Sequence, residues 1–144
     1  MDFEQLEDAI ITKLKTDLTY VHAIKTYAGE LQGEINELLI PTPAIFVMYS
    51  GAAYTWVDGQ ACFNEVDIFT VMVAAKNLRG NEAIRKDADT GCYRMIKDVL
   101  ASISNNTFGL DIERLQPVGT KLIVSTKIMA IYGTDFKTNF DKVY

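Results

Sequence analysis

Few residues in this sequence have the types and spacing that catalysis or metal binding requires. His22, the only histidine, alternates with apolar neighbours and has no serine or cysteine partner at a recognisable spacing. We therefore interpret it as a structural histidine rather than a general base. Glu65 and Asp67 are two residues apart in a β-rich run, so they share one face of a strand. Cation sites usually recruit three or more ligands, so we expect these two carboxylates to lie on a solvated face.

The other reactive groups also predict no catalytic residue, cofactor or metal site. Cys62 and Cys92 are too few for a disulfide framework or a four-ligand zinc site, and we expect both to pack as small buried hydrophobes. The nine glycines form neither of the common phosphate-binding motifs. Arg79, Arg85 and Lys86 form a basic cluster that could bind an anion. We favour pairing with acidic residues of this chain or a neighbouring one, and we expect a protein that is not an enzyme.

The composition indicates one globular domain over residues 1–144. At this length roughly two-thirds of the unfolded chain's surface can be buried, which is enough for a single core. The net charge of −5 argues against a nucleic-acid-binding surface, because such a surface needs a basic patch to displace counterions from phosphates. No run of about 18 apolar residues and no signal-peptide pattern is present. We therefore expect no membrane span, and a reducing cytoplasmic environment fits.

Two β-rich runs, Ala44–Val57 and Gln60–Ala75, flank Asp58-Gly59 and predict a long hairpin. Asp-Gly between β-rich runs is a strong hairpin signal, since both central residues of a type I′ turn need positive φ. About twelve paired residues at ~3.3 Å each would span roughly 40 Å. The diameter of a domain of this size is similar. The hairpin must therefore cross the whole domain or project from it.

Aromatic residues near the turn favour a projecting hairpin. A two-residue turn would place Tyr54 opposite Phe63 and Phe46 opposite Val71, with Trp56 beside the turn. Exposed aromatic side chains at the end of an arm are typical of a protein contact. The alternative is that the tip folds back on its own domain and Trp56 simply covers a sheet edge.

Periodicity predicts the remaining elements. Apolar residues at three- and four-residue steps indicate one helix over 3–18 and a longer one from Asn81 to about Ile103. A short helical connection is expected at 30–39, and an extended arm at 135–144. Strands are expected at 20–27, 110–116 and 121–132. The last of these has a mixed polar and apolar face that includes Lys127, which suggests cover by a neighbouring subunit.

These elements predict an α+β fold, in which a mostly antiparallel sheet of about four to five strands packs against two main helices and includes the long β-hairpin. The strongest local pattern is the segment FTVMVAAKNLRGNEAIRKDADTGCYRMIKDVL. It contains an Asn-Leu-Arg-Gly loop at 77–80, then Arg85, then a Gly-x-Tyr at 91–93. With the Pro-Ala-Ile-Phe strand entry at 43–46 and the closing Ile131-Tyr132, it resembles the small tail proteins of Mu-like phages and prophages.

The resemblance implies a tail terminator, encoded beside contractile-tail genes. Such proteins form a hexameric ring on the completed tail tube, stop its growth and present a surface to the head. The expected partners are therefore copies of the same chain, the tail tube and head-neck proteins, with the sheath protein as a further candidate. The expected location is the virion tail, with the host cytoplasm during assembly.

Two alternatives remain open at this stage. One is a neck or head-completion protein, and the other is a small ligand-binding module that uses the aromatic hairpin. For the protein interface we expect six contact residues: Tyr54, Trp56, Phe63, Arg79, Arg85 and Lys127.

Overall fold

The computed structural model describes residues 3–29, 41–57, 59, 62–76 and 91–143. In chain order the elements are α1 (Phe3–Asp17), β1 (Ala23–Thr26), β2 (Ala44–Trp56), β3 (Cys62–Lys76), α2 (Cys92–Ile103), β4 (Gln116–Ser125) and β5 (Met129–Val143). The strands form one five-stranded sheet in the order β1-β2-β3-β5-β4, antiparallel except for β1 beside β2. The predicted α+β fold class is confirmed. The predicted helix at 30–39 lies outside the described residues, as do residues 81–90 of the helix predicted from Asn81 to about Ile103. That second helix is not continuous as predicted, because the Gly91 backbone is extended, with φ −72° and ψ 160°, and α2 begins at Cys92.

Strand β3 lies at the centre of the sheet. It is 15 residues long and pairs with β5 along its whole length, from Cys62 opposite Val143 to Lys76 opposite Met129, without a register shift. Its other side pairs with β2. Since both sides of its backbone are hydrogen-bonded within the sheet, β3 can carry apolar side chains on both faces, as a buried strand requires.

The two described helices pack on one face of the sheet, called here the helix face. The apolar stripes of α1 and α2 arise from three- and four-residue spacing, which places these side chains on one side of each helix. The buried residues of this layer include Leu6, Ile10 and Leu14 of α1, Met95, Val99 and Ile103 of α2, and Ile45, Val47, Phe69, Val71 and Phe136 of the sheet. Fully burying one such side chain stabilises the fold by roughly 1.5–3 kcal/mol.

The opposite face of the sheet, called here the second face, has its own apolar cluster. Its buried members are Ala44, Phe46, Met72, Ala74, Met129 and Ile131. The ring of Tyr27 contacts that of Phe46 edge-on, with centroids 6.4 Å apart. The sheet is therefore apolar on both faces near its centre.

The predicted register of the β2–β3 hairpin is wrong near the turn. Trp56, and not Tyr54, lies opposite Phe63. Strand β2 ends at Trp56 and β3 begins at Cys62, so the connection is longer than the two residues that Asp58-Gly59 suggested. The local turn signal identified the hairpin correctly but not the length of its loop.

A β-bulge changes the register again further along the same hairpin. Tyr49 pairs with Phe69 and Gly51 pairs with Ile68, so Ser50 is an extra residue in β2. One extra residue reverses which face every later side chain occupies. Phe46 consequently lies on the second face, whereas the sequence prediction had grouped it with Val71, which lies on the helix face.

The C-terminal third of the chain also differs from its prediction. The expected single strand at 121–132 is a hairpin, because Thr126 makes a tight turn: its amide donates to the Met129 carbonyl at 2.8 Å, and its Oγ1 accepts from the Met129 amide at 3.0 Å. Local hydroxyl–backbone bonds of this kind compete with a continuous strand. The expected strand at 110–116 is irregular up to residue 115, and the expected arm at 135–144 is the continuation of β5.

Polar contacts join the end of α1 to α2. The Ser102 hydroxyl donates to Asp17 Oδ2 at 2.7 Å, and Lys13 Nζ lies 3.0 Å from the same oxygen. The Ser102 hydrogen bond, with a smaller contribution from Lys13, lowers the pKa of Asp17 from its ordinary value of 3.8. Nearby, the Tyr20 hydroxyl donates to Asp98 Oδ2 at 2.7 Å. These contacts orient the helices over the sheet.

The Asp17 contact predicts a pH-dependent contribution to stability. A carboxyl whose pKa is lower in the folded state stabilises the fold above its unfolded pKa, and this contribution is lost as the pH falls through the folded value. Ser102→Ala should therefore lower the urea midpoint at pH 7 and change it much less near pH 3. Thr16→Ala is the control, because the Thr16 hydroxyl bonds the Thr12 carbonyl and no carboxylate. An equal effect of Ser102→Ala at both pH values would contradict the prediction.

The bulge in β2 predicts a sensitive glycine. Gly51 has φ of 133°, a conformation that strains side-chain-bearing residues, although a Cβ there would meet no atom within 4 Å. Gly51→Ala should therefore destabilise the fold by about 1–3 kcal/mol through backbone strain alone. Gly119→Ala is the matched control, since a Cβ at Gly119 also meets nothing within 4 Å and its φ lies outside the positive region. Urea unfolding of both variants should separate strain from crowding.

Candidate protein-interaction surfaces

An exposed aromatic cluster occupies the end of the β2–β3 hairpin, and it is called here the tip cluster. The Phe63 ring contacts Tyr54 edge-on at 5.2 Å and stacks with Trp56 at 5.8 Å between centroids. Tyr54 and Trp56 are each 60% exposed. The structure thus brings together the three aromatic residues that the sequence singled out. Large exposed rings of this kind bury much apolar area when a partner covers them.

The part of the hairpin next to the tip cluster is not solvated on both faces, which corrects the expectation of a solvated face for Glu65 and Asp67. Both are buried, at 2% and 0% exposure. The Tyr49 hydroxyl donates to Asp67 Oδ1 at 3.1 Å, and the Phe3 ring of α1 stacks on Tyr49 at 4.2 Å. Burial, followed by the bond to Asp67, raises the pKa of Tyr49. The prediction failed because it treated the hairpin as two strands, whereas β5 flanks β3 out to Val143.

Strand β4 forms one edge of the sheet and is exposed almost throughout. Every residue except Val124 is exposed, and within the described ranges β4 pairs only with β5. Val118, Leu122 and Ile123 are 59%, 46% and 40% exposed. A long edge strand with apolar side chains presents unpaired backbone groups and readily adds another strand. The sequence prediction expected a neighbouring subunit to cover the stretch 121–132, but it did not identify the edge strand because it merged the end of β4 with the start of β5.

Two bulges shape this edge. The register shifts between Pro117 and Gly119, and again between Leu122 and Val124, so Val118 and Ile123 are the extra residues. A Cβ on Gly133 of β5 would lie 2.5 Å from Ile123 Cδ1, so the Ile123 side chain occupies the space over that glycine. The bulges therefore redirect two of the three exposed apolar side chains of β4.

A second open edge lies on the other side of the sheet. Strand β1 pairs only with Ala44–Val47 of β2, and the Tyr27 amide donates to the Val47 carbonyl just beyond it. In the described parts of the chain no strand pairs with Met48–Trp56 on that side. This stretch, called here the outer half of β2, ends in the tip cluster.

The other predicted contact residues do not join the tip cluster. Lys127 is exposed in the turn between β4 and β5. That turn lies at the end of the sheet where Lys76 pairs with Met129, and the tip lies at the opposite end, near Cys62. Arg79 and Arg85 lie outside the described residues.

The structure also locates the residues considered for chemistry. Cys92 is buried with Sγ 3.5 Å from the Ala130 carbonyl, as expected of a small core residue, whereas the Cys62 side chain lies outside what the structure describes. His22 is exposed just before β1. The described residues contain no group of three or more His, Cys, Asp or Glu that could hold a metal ion. None of the described helices is long and apolar enough to cross a membrane.

The fold and these surfaces define an α+β protein with two open sheet edges and an exposed aromatic tip among its described residues. The family model for Bacteriophage Mu, Gp37 matches residues 3–141, so the chain belongs to that family. The resemblance to Mu-like phage and prophage proteins is confirmed, and the family is one of phage structural, tail-related and virion-associated proteins. A search of curated proteins gives no match.

The exposure of Trp56 predicts that its removal leaves the monomer folded. Trp56→Ala should change the free energy of unfolding by less than about 1 kcal/mol, as is usual for exposed positions. Phe69→Ala, at a fully buried position on the neighbouring strand, should cost about 3–5 kcal/mol. Urea titration followed by circular dichroism measures both. Unfolding caused by Trp56→Ala would mean that the tip cluster serves the fold rather than a partner.

Proposed function

We propose that this protein is a tail terminator-like structural protein that acts by self-assembly and not by catalysis. Copies form a closed ring on the completed tail tube, end its polymerisation and present the surface to which the head joins. The observation that carries the proposal is the open edge of β4, exposed on both faces and carrying three large apolar side chains. Membership of the Mu Gp37 family supports a role in the virion.

The physical argument is that such surfaces are costly unless they are covered. An exposed apolar edge strand invites aggregation, and native proteins usually protect such edges. A standard subunit contact buries about 1,600 Å² in total, an area that an edge strand and its adjoining face can supply. Closed cyclic symmetry makes the assembly finite, which a terminator requires.

The tip cluster and the net charge have separate roles in this proposal. Tyr54 and Trp56 lie at the end of the hairpin away from the β4–β5 turn, and we assign their exposed rings to the contact with the tail tube, while the backbone edges of the strands contact neighbouring copies. The hexameric stoichiometry is part of the proposal. The net charge of −5 suits a ring through which DNA passes, because acidic walls repel phosphates and prevent adhesion.

The proposal predicts ring formation and control of tail length. Purified protein mixed with tail tubes should appear by electron microscopy as a ring at one end of each tube, and a phage lacking the gene should make tails of abnormal length. Trp56→Ala should weaken binding to tubes while the monomer stays folded.

Other results would select other functions. Only monomers by light scattering at high concentration, together with tails of normal length in the deletion phage, would exclude the terminator. Binding to heads but not to tubes would favour a neck or head-completion protein. Strong thermal stabilisation by one small molecule would favour a ligand-binding module.

A further inference from the structure

The two open edges of the sheet run in opposite directions. Strand β2 is antiparallel to β3, β3 to β5, and β5 to β4, so β4 and β2 are themselves antiparallel. Two copies placed side by side in the same orientation therefore bring β4 of one beside β2 of the next as an antiparallel pair. No copy has to be turned over, so the same contact can repeat from copy to copy.

We propose that the β4 edge of one copy pairs with the outer half of β2, Met48–Trp56, of a second copy, which joins their sheets head to tail. This inference rests on the proposed ring and names the contact that builds it. The contact is heterologous, since a different strand is used on each side. Heterologous contacts form rings when their rotation closes.

The two edges match in length and charge. Strand β4 has 10 residues, and the outer half of β2 spans residues 48–56, so each is about 30 Å long. Lys121 is the only charged residue of β4, and the outer half of β2 has none. Pairing them brings together no like charges.

Charge also argues against pairing β4 with a second β4. Lys121 is near the middle of the strand, which runs from Gln116 to Ser125. A two-fold antiparallel pair centred on β4 would place the two Lys121 side chains in neighbouring positions. Like charges at such positions destabilise a sheet. The uncharged outer half of β2 has no such conflict.

The levels of the two edges support a closed ring. Strand β4 lies beside Ala130–Lys137 of β5, and Ile131–Lys137 is level with Ala44–Gly51 in β2. The outer half of β2 begins about four to five residues closer to the tip cluster. Pairing it with β4 therefore shifts each copy relative to the next by ~15 Å along the strands, at ~3.3 Å per residue. The repeating unit is the four strands β2-β3-β5-β4, which is about 19 Å wide at the usual spacing between neighbouring strands. In a closed ring this stagger tilts the strands by about 40°, within the usual range of closed sheets.

The bulges suit the same arrangement. Those in the described sheet occur in β2 and β4, the two strands that would pair, and the β3–β5 ladder has none. Bulges bend a strand and increase its twist, which is how sheets acquire the curvature that closure needs. They also limit flat stacking, so the edges are suited to a curved neighbour rather than to unlimited growth.

Cross-linking between single-cysteine variants tests this contact. Lys121 of β4 and Ala53 of β2 are both exposed, and their pairing with Gly133 and Val66 places both on the second face. Both variants carry Cys62→Ser. The Lys121→Cys and Ala53→Cys chains are mixed, assembled together and then treated with a short bis-maleimide. A dimer band should form from the mixture and be absent from each variant alone. Ala101→Cys, exposed on α2, is the control and should not cross-link to Lys121→Cys.

The outcomes separate this contact from the proposed function. Self-cross-linking of Lys121→Cys alone would show a two-fold β4 contact and overturn the inference. Rings that cap tubes and set tail length without any cross-link between positions 53 and 121 would overturn the inference and leave the terminator intact. A protein that assembles neither with itself nor on tubes would remove both.

Discussion

The long pairing of β3 with β5 is the interaction on which the rest of the structure depends. Over 15 residues it satisfies one side of the β3 backbone, while β2 satisfies the other. A strand paired on both sides can be apolar on both faces, which is why the helices pack on one face and a second cluster is buried on the other. The same pairing supports the hairpin out to its end, so Asp67 becomes a buried residue bonded to Tyr49.

The regular centre of the sheet contrasts with its irregular edges. No bulge interrupts β3 and β5, whereas Ser50, Val118 and Ile123 are extra residues in β2 and β4. A bulge in the central ladder would shift every side chain beyond it to the wrong face of a two-sided core. At an edge the same irregularity costs less, and it bends the strand and redirects side chains. The central strands β3 and β5 thus keep the sheet regular, and the edge strands β2 and β4 bend it.

The exposed surfaces of this protein suit a member of a phage structural family. The described residues hold no group of metal ligands, His22 is exposed, and Asp67 accepts a hydrogen bond from Tyr49. Among the described residues, the fold leaves exposed the apolar edge strand β4 and the aromatic tip cluster. Those features favour contacts between proteins.

The sequence by itself determined α1, the C-terminal end of α2, the main hairpin, the fold class and the aromatic character of the tip. These follow from local periodicity and from the chemistry of turns, which act over a few residues. Only the tertiary structure decided the hairpin register, because the bulge at Ser50 depends on pairing with β3 and leaves no local signal. It also decided that Glu65 and Asp67 are buried and that β4 is an edge, since both depend on where β5 lies. Burial depends on contacts with residues that are distant in sequence, so the pattern of one segment cannot specify it.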